Sequence, residues 1–170
     1  MHLKRAIVAV AVCAVLVTAC EKGLASDSAG APSAGSTFGD PCSLLTMAEV
    51  GSAIAFTVNS QTVGDNGRTC TWTYADPNNM VAFNTARLTL IDQATFRAMQ
   101  VAADSGIVTP VASLGDEAFS VTGNQGASLS VEKGRSAFTV SVSGSAYTTA
   151  QSEADEVTLA RYVLAYRPSA

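Results

Sequence analysis

Histidine is almost missing from this chain. Its one copy in 170 residues is His2, so a reaction that uses imidazole as general base has nothing to work with past the second residue. Charge is scarce as well, at 14% of residues. With 48% hydrophobic residues and a mean hydropathy of +0.25, a highly charged disordered chain is excluded. Positive charge is the scarcer sign: ten Lys and Arg face fourteen Asp and Glu, for a net −4. Nucleic acid calls for a basic face, so no nucleic-acid partner is expected. No apolar run reaches the roughly 20 residues that a membrane-spanning helix needs. The phosphate-loop pattern Gly-x-x-x-x-Gly-Lys does not occur, and Gly126-Ala127-Ser128 lacks the second glycine of a nucleophile elbow.

What is present begins with an address. His2, Lys4 and Arg5 form a basic start, and residues 6–17 are continuously apolar. That length suits the core of a secretory signal. The run closes on Val17-Thr18-Ala19-Cys20, which reads as a bacterial lipobox: an aliphatic residue, two small ones, then cysteine. Small side chains admit the strand to a signal peptidase, and the Cys20 thiol takes a diacylglyceryl group. A secretory signal with an incidental Cys20 is the plainer alternative. Two acyl chains hold a protein stably at a membrane, where one holds it only marginally. Residues 1–19 are thus expected to be removed, leaving eight basic and fourteen acidic side chains and no histidine.

Residues 20–37 carry the lipidated cysteine and a spacer. Eleven of the seventeen residues after Cys20 are Ala, Gly or Ser, without a periodic apolar face. Such a segment behaves as flexible coil, with a mean reach of about 20–25 Å. Residues 38–170 change in texture and are expected to form one domain. Thr46-Met47-Ala48-Glu49 resembles a capping box that opens a helix to about residue 54. Strands are expected over 56–63, 68–74 and 81–91, separated by the turn signals Gly64-Asp65-Asn66-Gly67 and Asp76-Pro77-Asn78-Asn79. Cys70, Trp72 and Tyr74 alternate with threonines in the clearest half-buried pattern of the chain.

Asp92 is placed to cap a second helix ending near residue 104. An extended stretch over 107–114 leads to a strand over 118–122. Residues 128–131 and 138–142 form a hairpin around Lys133-Gly134, and a last helix covers 151–166. Its apolar face is expected at Ala154, Val157, Ala160 and Leu164. The pattern predicts an α+β domain: a mostly antiparallel sheet of about five to six strands with three helices.

Few residues offer chemistry. Outside the cytoplasm, Cys42 and Cys70 read as a disulfide rather than a metal or redox pair, with two buried free thiols as the other reading. Two cysteines without histidine do not make a zinc site, and no calcium loop is evident; no metal and no cofactor are expected. Asp116 and Glu117 are adjacent, so on a strand they face opposite ways and make a poor catalytic pair. They read as a turn after Gly115 that starts a strand. Trp72 is read as core packed against the disulfide rather than as a stacking platform. Glu153, Asp155 and Glu156 are read as a solvated first turn that complements the helix dipole. No catalytic residue is assigned.

The lipobox, the small-residue tether, Asp40-Pro41-Cys42-Ser43-Leu44-Leu45-Thr46, Cys70-Thr71-Trp72 and Leu114-Gly115-Asp116-Glu117-Ala118-Phe119 together resemble a family of actinobacterial cell-envelope lipoproteins, catalogued as a domain of unknown function. The resemblance covers about residues 38–167. It implies a Cys42–Cys70 disulfide and a lipid-anchored envelope domain, and it implies no catalytic residues.

The expected function is therefore a non-enzymatic, lipid-anchored binding or interaction module on the outer face of the cytoplasmic membrane. Its partners are the membrane, through Cys20, and an envelope protein, glycan or lipid. The alternatives are a partner-stabilising structural subunit and a carboxylate-dependent envelope hydrolase. A groove with two facing carboxylates would favour the hydrolase, a cavity above roughly 300 Å³ a lipid or small-molecule binder, and a flat sheet face a protein partner. Replacement of Cys20 by Ala should abolish fatty-acid labelling and move any shed protein to the aqueous phase of a detergent separation. A wild type that is itself unlabelled and water-soluble would end the lipoprotein reading.

Overall fold

The computed structural model describes residues 38–76, 79–102, 107–123, 126–144 and 147–166. The expected signal sequence, Cys20 and the spacer lie outside the described residues. The chain enters through a 3₁₀ turn at Pro41–Ser43, where the Asp40 carboxylate accepts the Cys42 amide at 2.9 Å. Helix α1 (Met47–Ile54) starts on the expected capping box: Thr46 Oγ1 accepts from the Glu49 amide, and Glu49 Oε2 accepts from the Thr46 amide. Each end of the box satisfies an amide that the first helical turn leaves without a partner.

Three strands follow: β1 (Val58–Gly64), β2 (Thr69–Asp76) and β3 (Asn79–Ile91). Helix α2 (Gln93–Ala102) starts where Asp92 Oδ1 accepts the Thr95 amide at 2.7 Å. Then come β4 (Ile107–Pro110), β5 (Glu117–Gly123), β6 (Gly126–Lys133) and β7 (Ser136–Ser143), and finally α3 (Thr149–Ala165) with a second capping box between Thr148 and Gln151. The strands form one antiparallel sheet in the order β1-β2-β3-β7-β6-β5-β4. The α+β class and the three helices agree with the sequence pattern, but the described residues hold seven strands rather than five to six. The added strand is β4, cut from the extended stretch. Its pairing with β5 runs from Ile107–Thr122 to Pro110–Phe119, and just past it the Val111 amide still donates to the Ala118 carbonyl at 2.9 Å, so Pro110 costs no bond between the two strands.

Strand alternation divides the sheet into two unlike faces. On one, Cys70, Leu88, Val140 and Leu129 stand in register across four strands, with Trp72, Ala86 and Val142 beside them, all nearly inaccessible. Helices α1 and α3 cover this face, and Val50, Ile54, Leu159, Ala160 and Val163 complete the core. On the other face α2 seats Phe96 against Ile91, Phe119 and Ala137. The same face of β2 and β3 carries Thr71, Thr73, Thr85 and Arg87, which reach solvent.

Cys42 and Cys70 are disulfide-bonded, with Cα atoms 5.1 Å apart and a sequence separation of 28. The bridge fastens the entry turn to β2. Gln61 supports it from β1: its side chain donates to the Cys42 carbonyl at 3.2 Å and accepts from Trp72 Nε1 at 3.1 Å. Trp72 is thus core, as its strand alternation suggests, with its one polar atom satisfied. Closing a loop of this length restricts the unfolded chain and stabilises by about 3.5 kcal/mol in the chain-entropy model. Cys42→Ser with Cys70→Ser should lower unfolding free energy by about 2–4 kcal/mol in urea titrations. Trp72 emission should rise as the nearby disulfide quencher is lost, and an unchanged midpoint would show that the bridge does not stabilise the fold.

Candidate functional site

The Gly115-Asp116-Glu117 stretch turns out to anchor helix α2. Gly115 has φ +65°, and a Cβ there would collide with the Glu132 carbonyl oxygen, so only glycine lets the loop lie against β6. The Asp116 amide donates to that carbonyl at 2.8 Å. Its carboxylate accepts the Gly134 amide at 2.7 Å and the Lys133 ammonium at 2.6 Å. The Gly134 amide first, and Lys133 after it, hold Asp116 below its ordinary pKa. Glu117 turns the other way, as adjacent strand residues must, and faces α2.

Glu117 stands directly opposite Glu132 in the β5–β6 ladder, a juxtaposition of like charges that is destabilising unless compensated. Arg97 compensates it: Nη1 binds Glu117 and Nη2 binds Glu132 at 2.6 Å. Gln100 adds a bond to Glu117 at 2.5 Å, and Gln93 one to Glu132 at 2.6 Å. The Arg97 hydrogen bond, then that of Gln100, depress the Glu117 pKa. These carboxylates face each other, yet their oxygens are taken up by side chains of α2. They hold a helix in place.

The opposite face of β5 builds something different. Toward α2 the strand sends large residues, Phe119 and Val121; toward α3 it sends Ala118, Ser120 and Thr122. Helix α3 packs over β6 and β7, so the small side chains of β5 leave space beside it. That space is a cavity of about 510 Å³, lined from the sheet by Thr109, Val111, Ser120 and Leu129. From the helix it is lined by Ala150, Glu153, Ala154, Glu156, Val157, Thr158 and Arg161. The helical residues recur at three- and four-residue intervals, as one stripe of an α-helix does.

This arrangement corrects the sequence reading of α3. The side chains that enter the core are Ser152, Glu156, Leu159, Ala160 and Val163. Ala154 and Val157 line the cavity instead, Ala154 exposed and Val157 half-buried, and Leu164 is only half-buried. Of the expected apolar face, Ala160 is buried in the core, Val157 and Leu164 pack against it at its edge, and only Ala154 lies outside it. The expected solvated acidic turn is corrected too: the helix starts at Thr149, so Glu153, Asp155 and Glu156 lie past its first turn. Glu156 is 0% exposed. The helix is seated by where the sheet has room, which its own periodicity does not record.

Glu156 has a clear role in the sheet. Pairing of β6 with β7 runs from Lys133–Ser136 only as far as Leu129–Val140, so at Val142 the two strands have parted. Glu156 Oε1 accepts the Val142 amide at 3.0 Å. Its second oxygen, Oε2, meets no protein hydrogen-bond partner, and neither does Ser120 Oγ, which is also buried. Burial pushes the Glu156 carboxyl up to about 8; the Val142 amide opposes this, and Glu153 and Asp155 add to it. At neutral pH the side chain is therefore a carboxylic acid. With Oε1 engaged as acceptor, its O–H is available at Oε2. Around it, Glu153 accepts from Thr122 at 3.0 Å, and Arg161 makes no ion pair among the described residues.

Among the described residues no group of three or more His, Cys, Asp or Glu side chains is arranged to hold a metal. No family model, curated protein or solved structure matches the chain. Sequence reasoning missed Ser120 and Glu156 as site residues. The signal available was the small-large alternation of β5 opposite an acidic helix.

The raised carboxyl predicts an unusual stability profile. Glu156 has an ordinary value of 4.5 in the unfolded chain and about 8 in the folded one. Between those values the folded protein binds more protons, so stability falls as pH rises through this window and levels off above it. Glu156→Gln keeps the acceptor for Val142 and cannot ionise. Urea titrations from pH 5 to 9 should show the variant gaining on wild type across the window, by on the order of a few kcal/mol at its top. Parallel profiles would mean that Glu156 is charged throughout.

Proposed function

We propose that the chain is a lipid-anchored, non-enzymatic binding module of the bacterial envelope, and that its ligand occupies the cavity beneath α3. The observation that carries the reading is the cavity of about 510 Å³ in which one oxygen of a buried carboxyl and a buried hydroxyl have no protein partner. Small-molecule sites commonly enclose about 300–1,000 Å³ behind mostly apolar walls with a few placed polar groups. Val111, Leu129, Ala154 and Val157 supply such walls here. Buried polar atoms are ordinarily satisfied, so two unsatisfied ones in one cavity suit a bound group that satisfies them.

The lipobox at Cys20 and the flexible spacer support the envelope placement, since together they hold a folded domain within reach of a membrane surface. The resemblance to actinobacterial envelope lipoproteins supports the same placement. A hydrolase reading loses its main support where Glu117 and Glu132 are bound by Arg97, Gln93 and Gln100.

Native mass spectrometry of the acylated protein, purified from its own envelope, tests this reading. Wild type should carry a stoichiometric small-molecule adduct, released unchanged. Ala154→Trp, which places an indole in the cavity wall, should not carry it. A wild type that runs at its ligand-free mass, as the variant does at its own, would remove the cavity from the proposal.

A further inference from the structure

We infer that the cavity selects an uncharged amphiphile whose carbonyl-type oxygen accepts hydrogen bonds from Glu156 and Ser120 while its apolar part lies along Val111, Leu129 and Val157. This inference rests on the binding function proposed above and adds the chemical class of the ligand. The geometry of the donors carries it. Glu156 Oε1 is held by the Val142 amide, and Oε2 is left with no protein partner in a side chain that is 0% exposed. Ser120 Oγ, 6% exposed, is the other unpartnered atom in the same cavity. A neutral acid and a hydroxyl are both O–H donors, and an oxygen with two lone pairs can accept from both.

The charges around the cavity oppose the two ionic alternatives. An anion drawn in beside Glu156 would lie near Glu153 and Asp155 on the same helix, and its own negative charge would be desolvated there. A cation would need Glu156 ionised within the same buried setting and would pass Arg161, which also lines the cavity. The sheet side of the cavity brings no further charge: β4, β5 and β6 line it with Thr109, Ser120 and Leu129, Val111 follows β4, and β7 presents the Val142 amide. An uncharged head group meets none of these penalties. The cavity's raised Glu156 pKa adds a consequence, since its donor disappears once the carboxyl ionises above about 8.

The test uses the full-length lipoprotein in phospholipid nanodiscs, with protein-free discs subtracted, and three probes of equal chain length: octanamide, octanoate and octylamine. Equilibrium dialysis at pH 7 should find octanamide bound more tightly than either ion. Raising the pH to 9.5 should weaken octanamide binding by about tenfold or more, because only the protonated fraction remains competent. Glu156→Gln keeps a neutral donor at that position, so it should bind octanamide with an affinity that no longer depends on pH. Ser120→Ala should weaken it at every pH. Preferred binding of octylamine that strengthens with pH would overturn the inference in favour of an ionised Glu156, and preferred octanoate would overturn it in favour of Arg161. A natural adduct in the native mass spectrum with no preference for octanamide defeats this inference and leaves the binding function standing. No adduct and no bound probe defeats both.

Discussion

One hydrogen bond organises the functional end of this fold, the one from the Val142 amide to Glu156 Oε1. Where β6 and β7 separate, β7 would otherwise leave a buried backbone donor without a partner, which costs about as much as a lost hydrogen bond. A side chain from α3 answers that need, and it must be an acceptor long enough to reach across from the helix. The answer buries a carboxyl group completely. Its second oxygen then has to be protonated, bound or both, because an isolated carboxylate is too costly in such surroundings. The chemistry we assign to the cavity follows from that local repair of the sheet.

The two faces of β5 extend the same logic. Phe119 and Val121 bring α2 onto one side, where Arg97 closes the ion-pair network with Glu117 and Glu132. Ala118, Ser120 and Thr122 leave the other side open beside α3. One strand therefore contributes a packed, charge-locked surface and a hollow one. The Gly115-Asp116-Glu117 stretch belongs to the packed side. Asp116 fixes the β6–β7 turn at Lys133 and Gly134, and Glu117 fixes α2. Rigidity on this side lets β5 serve as a firm wall for the cavity on the other.

Much of the fold is legible in local pattern. Thr46 with Glu49, Asp92, and the alternation of Cys70, Trp72 and Tyr74 each place an element within a few residues of where it lies. These signals are short-range: a cap acts over one helical turn, and strand alternation registers a face wherever one side is buried. The cavity was not legible in that way. Its lining comes from β4, β5, β6 and α3, which meet only through the sheet order. Periodicity marked Ala154 and Val157 as a core face; Val157 does pack against the core, but both also border the cavity. Glu156 read as a surface charge, since three acidic residues in four positions look solvated until the helix is docked.

The sequence by itself determined the address at Cys20 as an expectation, the α+β class, the disulfide partners and the caps of the first two helices. Each of these depends on residue type and on spacing along the chain. Tertiary structure decided the rotation of α3 on the sheet, the burial of Glu156 and the space above Ser120. These depend on which strands become neighbours and on where small side chains meet a helix. A carboxyl group's protonation is set by its surroundings rather than by its identity, so only the folded arrangement could turn an acidic residue into a neutral hydrogen-bond donor.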